Sequence, residues 1–214
     1  MTIKNLYEDN HVIAVYKPAG ILVQGDATGD VCLMDNVKKY LKEKHNKPGN
    51  VFLGLVHRLD RPVQGIVLFA KTSKGAARLS EQFREHTIKK VYHAVVGGVP
   101  PTRGTLVHWI LKNETKNRVE IFDHETNKAL RAELSYEVVQ SNSTHALVRI
   151  ELKTGRPHQI RAQFSHIGHP LVGDIKYGGE KNSLLHLAAT ELAFSLATTN
   201  ERKVISVPVP FEIK

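Results

Sequence analysis

The sequence predicts an α+β fold, a mixed and mainly antiparallel β-sheet flanked by helices. Three observations predict it. Short runs of β-branched and aromatic residues recur along the chain, few stretches show helical spacing, and strands and helices do not alternate as they do in a parallel sheet. At 214 residues the chain is long enough to bury a sizeable core, as one large domain or two small ones. It contains no internal repeat and no low-complexity segment.

Val12-Ile13-Ala14-Val15-Tyr16 is a β-branched run stopped by Lys17-Pro18-Ala19-Gly20, a strand followed by a turn. Residues 31–44 place Leu33, Val37, Tyr40 and Leu41 on one face and predict a helix. Asn46 to Asn50 is a loop, and Val51 to Val56 is a second apolar run. Ile66 to Ala70 is a strand. Ser73 is the expected cap of a helix over 74–86, with Ala76, Leu79 and Phe83 inward. Val91 to Val96 is a strand stopped by Gly97-Gly98-Val99-Pro100-Pro101, a loop within one domain. Further strands are predicted at 104–110, 118–122, 130–139 and 145–153, with a hairpin turn at Ser141-Asn142-Ser143. Residues 156–167 switch to helical spacing through Ile160, Phe164 and Ile167. Leu184 to Phe194 fits a strand or a helix, and the alternating tail Val204 to Ile213, with its two prolines, suits an edge strand.

Thirty Lys and Arg against twenty-one Asp and Glu give a net charge of +9, with twelve His besides. That excess favours a nucleic acid, an anionic membrane or an acidic ligand as partner. No apolar run approaches the ~20 residues of a membrane span, and the N-terminus shows no signal core, which makes a bilayer an unattractive explanation. Cys32 is the only cysteine, so no intrachain disulfide can form, which fits a reducing cytoplasm. No Gly-rich phosphate loop of P-loop or Rossmann spacing is present.

The chemistry concentrates in a few segments. Asp60 lies between Arg58 and Arg61, ahead of a Pro, a Gly and a run of strand formers. Two guanidinium groups favour the ionised carboxylate if they approach it, and such a carboxylate can attack an electrophilic carbon. A structural Arg–Asp pair is the plainer alternative. With one acid in the segment, a two-carboxylate hydrolase is poorly supported. In Thr154-Gly155-Arg156-Pro157-His158-Gln159-Ile160-Arg161, Pro157 suits a first helical turn, and Arg161 can pair with Asp60 or a phosphate. His158, His166, His169 and Asp174 are conceivable metal ligands, but their spacing matches neither H-E-x-x-H nor the deaminase pattern, so no metal is expected. Tyr92 follows Lys89-Lys90, an aromatic ring beside cations as base stacking requires, or simply a half-buried strand residue.

Taken in order, these segments resemble the RluA family of RNA pseudouridine synthases over almost the whole chain. Tyr7-Glu8-Asp9 with Val12 to Gly20 is similar to the family's opening motif, and His57-Arg58-Leu59-Asp60-Arg61 through Thr72 to its catalytic motif. Lys89-Lys90-Val91-Tyr92 matches the segment carrying its active-site tyrosine. Gly155 to Arg161 and His169-Pro170-Leu171-Val172-Gly173-Asp174 with Tyr177-Gly178 match its third motif. Two stretches depart from the pattern: Val63-Gln64-Gly65 stands where Thr-Ser-Gly is common, and Leu184-Leu185-His186-Leu187 approximates Leu-His-Ala.

The resemblance implies a single pseudouridine synthase catalytic domain over residues 1–214, without the accessory N-terminal RNA-binding domain of many relatives. It implies isomerisation of specific uridines to pseudouridine in structured RNA, a tRNA or an rRNA, with no cofactor. Asp60 is implied as the catalytic carboxylate. Arg161 is its partner, Tyr92 stacks on the base, Leu185 packs against it, and Arg58 fills the space left by the flipped base. A cytoplasmic monomer with RNA as its partner, no membrane and no obligate protein partner is expected. The alternative from another class is a non-catalytic basic RNA-binding module with a degenerate site.

Overall fold

The computed structural model describes residues 2–199 and 201–213. The fold is α+β, mainly antiparallel sheet with three α-helices among the described residues. The chain divides into two compact units, Met1–Ile88 with Glu191–Val207, and Lys89–Thr190 with Pro208–Lys214.

In the first unit, β1 (Lys4–Glu8), β2 (Val12–Lys17), β3 (Gly54–Leu55) and β4 (Gln64–Ala70) pair antiparallel, with β4 taking both β2 and β3. β2 and β4 are buried along nearly their whole length, which is why both read as unbroken apolar runs. β1 was not foreseen. Lys4-Asn5-Leu6-Tyr7-Glu8 has weak strand propensity and becomes a strand by pairing with β2. The helix α1 (Leu33–Lys44) buries Leu33, Val37 and Leu41, as its spacing predicts.

The helix α2 (Ser73–Arg84) is capped by Thr72, whose Oγ1 accepts from Gly75 N at 3.1 Å, not by Ser73, which is its first residue. Gly75 is required because a Cβ there would lie 2.5 Å from His11 O. Leu79 packs with Val12, Ile66, Leu68 and Phe194 in the core of this unit.

In the second unit, β5 (Lys89–Gly97), β6 (Arg103–Asn113), β7 (Arg118–Phe122), β8 (Leu130–Ser141) and β9 (His145–Leu152) form an antiparallel sheet in the order β5-β9-β8-β6-β7. The helix α3 (Gln159–His166) starts at 159 rather than 156, because His158 takes a left-handed φ of 50° that helical backbone does not allow. Phe164 packs edge-on to Tyr136, with ring centroids 5.3 Å apart.

The ambiguous stretch resolves as a strand, β10 (Leu187–Ser195), buried on both faces. Strand and helix cannot be told apart by periodicity in such a run. Its end pairs with β11 (Arg202–Ser206). The predicted edge strand therefore ends at Ser206, and residues 207–213 form no strand. Pro208 and Pro210 lack the N–H groups that would continue the pairing, and Phe211 instead stacks on His186 with centroids 4.9 Å apart.

Candidate active site

The predicted site residues divide between the units: Arg58 and Asp60 in the first, Tyr92, Arg161 and Leu185 in the second.

In the first unit, Asp60 is half-buried in the loop between β3 and β4, where its carbonyl accepts from Val63 N at 3.0 Å. Arg58 is exposed. The loop is anchored from three sides. His57 Nε2 accepts from Leu68 N at 2.9 Å and its ring stacks on Phe83. Because that nitrogen accepts, a neutral His57 carries its proton on Nδ1.

Arg61 donates from Nε to Gly20 O at 3.0 Å, and Gly20 N donates to Arg61 O at 2.9 Å. The Arg61 guanidinium also meets Asp30 at 2.8 Å. Sequence reading found no role for this arginine. It ties the Asp60 loop to the Lys17-Pro18-Ala19-Gly20 turn.

Lys17, at the start of the turn that closes the opening motif, is the third anchor. It is fully buried, and its Nζ donates to the carbonyls of Pro18 (3.1 Å), Ile21 (2.7 Å) and Arg61 (3.0 Å). Burial pushes its ammonium down to about 8, against the pull of Asp60. The available signal was its position, at the end of a strand with no solvent face.

In the second unit, Arg161 is buried in α3 and grips Asp174 with two parallel bonds, Nε to Oδ2 at 2.7 Å and Nη2 to Oδ1 at 2.8 Å. Its guanidinium lies 5.2 Å from the centre of the Tyr177 ring, as does that of Arg118 on the same ring. The Tyr177 hydroxyl accepts from Val119 N at 3.0 Å and pairs with His158 Nδ1 at 2.7 Å.

Burial raises the Tyr177 phenol, so it stays protonated. Gln159 closes the loop ahead of α3, accepting from Thr154 Oγ1 and Arg156 N. The Gly155 to Arg161 string is thus a scaffold that presents one guanidinium. Asp174, in sequence a conceivable metal ligand and a member of the third motif, is the residue that orients it.

Tyr92 is half-buried on β5, opposite Ile150. Leu185 is buried beside Gly173, where a Cβ would lie 3.0 Å from the Leu185 Cα.

The four residues considered as metal ligands have separate partners. His158 meets Tyr177, His169 meets Gly97 O, Asp174 holds Arg161, and His166 meets Asp123 at 2.7 Å. A different trio converges instead, His108, Asp123 and His166, with ligand atoms within 4.8 Å of one another. Gln163 Nε2 donates to His108 Nδ1 at 2.9 Å, which leaves the His108 proton on Nε2, the atom facing Asp123. In that tautomer His108 offers the cluster a proton and not a lone pair.

The fold is that of a pseudouridylate synthase domain. The structure matches Human RNA Pseudouridylate Synthase Domain Containing 4 with a TM-score of 0.81 and 24% identity, covering 97% of this chain and 88% of that one. A family model described as RNA pseudouridylate synthase matches residues 11–166. Ribosomal large subunit pseudouridine synthase C of Buchnera aphidicola subsp. Acyrthosiphon pisum is 36% identical over 84% of this chain and 54% of its own length. tRNA pseudouridine synthase C of Vibrio parahaemolyticus is 32% identical over 95% of this chain and 89% of its own length. This chain belongs to the RluA family of RNA pseudouridine synthases. It spans 54% and 60% of the length of two of the curated relatives it matches. No described helix is long and apolar enough to cross a membrane.

Proposed function

We propose that the protein isomerises specific uridines to pseudouridine in structured RNA, a tRNA or an rRNA, as a cytoplasmic monomer with one catalytic domain and no cofactor. The observation that carries this reading is the family match over residues 11–166, which includes Asp60, Tyr92 and Arg161. In the reaction the bond from ribose C1′ to uracil N1 breaks, the base turns, and C1′ bonds to C5. The C5 proton leaves, N1 gains a proton, and no electrons are exchanged with another molecule.

Asp60 supplies the catalytic carboxylate. Its loop is fixed by Lys17, Arg61 and His57, so it starts the reaction already positioned. Arg161, held by Asp174, supplies the positive charge that partners the carboxylate. Tyr92 stacks on the base and Leu185 packs against it. Reaching a base within a stem costs a few kcal/mol of lost stacking, which Arg58 offsets by filling the gap. The relatives named above act, by their names, on ribosomal large subunit RNA and on tRNA, and either class fits a chain of net charge +9.

The test is to map pseudouridine nucleotide by nucleotide in total RNA from cells with and without the protein, and to repeat it with Asp60→Asn. Specific sites should vanish without the protein and stay absent with the variant, while RNA binding persists. Near-normal modification by Asp60→Asn would remove Asp60 from the chemistry. Binding without any modified site would favour a non-catalytic RNA-binding module.

A further inference from the structure

Lys90 is the second residue of β5 and projects from the same face as Tyr92. It is only 9% exposed. A buried ammonium normally finds acceptors, since leaving it unpaired costs several kcal/mol. Among the described residues, none hydrogen-bonds or ion-pairs with its Nζ. Burial alone pushes the group down to about 8, with no anion nearby to raise it.

Gly155 lies beside it, where an added Cβ would sit 3.8 Å from the Lys90 Nζ. Gly155 is exposed, so the missing side chain leaves the ammonium a path to solvent. An anion arriving over Gly155 would therefore meet a preformed, unneutralised cation on a largely buried stem, where a charge-assisted bond is favoured. Two residues along a strand span about 7 Å, the reach of one nucleotide from base to phosphate.

We propose that Lys90 binds a phosphate of the RNA next to the uridine that stacks on Tyr92, so that fold stability is given up for a substrate contact. This rests on the RNA reading above. The residue selects no base. It fixes where along the strand the target nucleotide sits.

Two variants and one modified RNA test it. Lys90→Met keeps the length of the side chain and removes the buried charge. It should raise the melting temperature by roughly 3–6 °C and weaken binding of a uridine-containing RNA stem-loop about tenfold. Lys90→Arg should retain most of the binding. Replacing the phosphate beside the target uridine by a neutral methylphosphonate should weaken wild-type binding by a similar factor and leave Lys90→Met unaffected. If Lys90→Met melts lower and binds RNA normally, or if the methylphosphonate weakens both proteins equally, the inference is wrong. A wild-type protein that binds the stem-loop but forms no pseudouridine would refute the catalytic reading alone, because the binding comparison still stands. Failure of the wild type to bind any RNA would overturn both.

Discussion

Lys17 and Lys90 are both buried, both at strand ends, and both held near 8 by loss of water, yet they do opposite things. Lys17 has three carbonyl acceptors and joins the Lys17–Gly20 turn to the Asp60 loop. Lys90 has no partner among the described residues and faces Gly155. The same desolvation sets the same shift in both. What differs is whether the fold satisfies the ammonium or leaves it for a ligand. Burial of a charge is therefore not informative alone; its hydrogen-bond partners decide whether it is structural.

Five outcomes would sharpen or break that contrast. The largest effect comes from taking away the carboxylate that grips Arg161. Asp174→Ala strips it of its two parallel bonds and should cost about 3–5 kcal/mol of stability in urea denaturation, because a buried charge loses its bidentate carboxylate. A loss below 1 kcal/mol would mean Arg161 has other adequate partners. Next, Lys17→Met leaves three carbonyls short of a donor and should cost about 2–4 kcal/mol, opposite in sign to Lys90→Met. If both methionine variants shift stability the same way, the contrast fails.

The third is a pH dependence. Lys17 and Lys90 lie near 8 in the folded protein and near 10.5 unfolded. Between these values the unfolded chain holds more protons, so stability rises as pH rises, and the penalty is fully present below pH 8. Lys90→Met should flatten part of that rise in a series of melts from pH 7.5 to 10.5; an unchanged slope would remove Lys90 from it.

Glu8 gives the acid-side counterpart. Burial opposes its charge, but bonds from Lys44, Lys71 and His45 outweigh that and hold it at about 2. Its contribution is present above pH 4.5 and lost as pH falls toward 2, so Glu8→Gln should flatten acid unfolding in that window. The smallest effect is at Arg61–Asp30, a pair as short as Arg161–Asp174 but about half exposed on both sides. Asp30→Asn should change stability by less than about 1 kcal/mol, measured in the same denaturation assay.

The sequence by itself determined the fold class, the long buried strands, α1, α2 and the family. These rest on local periodicity and on motif order, and both are visible along one chain. Asp60 and Tyr92 were singled out for the same reason, since a carboxylate among arginines and an aromatic among lysines are local patterns. Tertiary structure alone decided the rest. β1 exists because β2 offers it a partner, and α3 begins late because His158 turns left-handed. Asp174 holds Arg161 across thirteen residues, and Arg61 clamps Gly20 across forty-one. No propensity encodes such pairings. Two lysines that the sequence cannot distinguish became an anchor and an open cation because hydrogen bonding depends on which carbonyls the folded chain brings within about 3 Å.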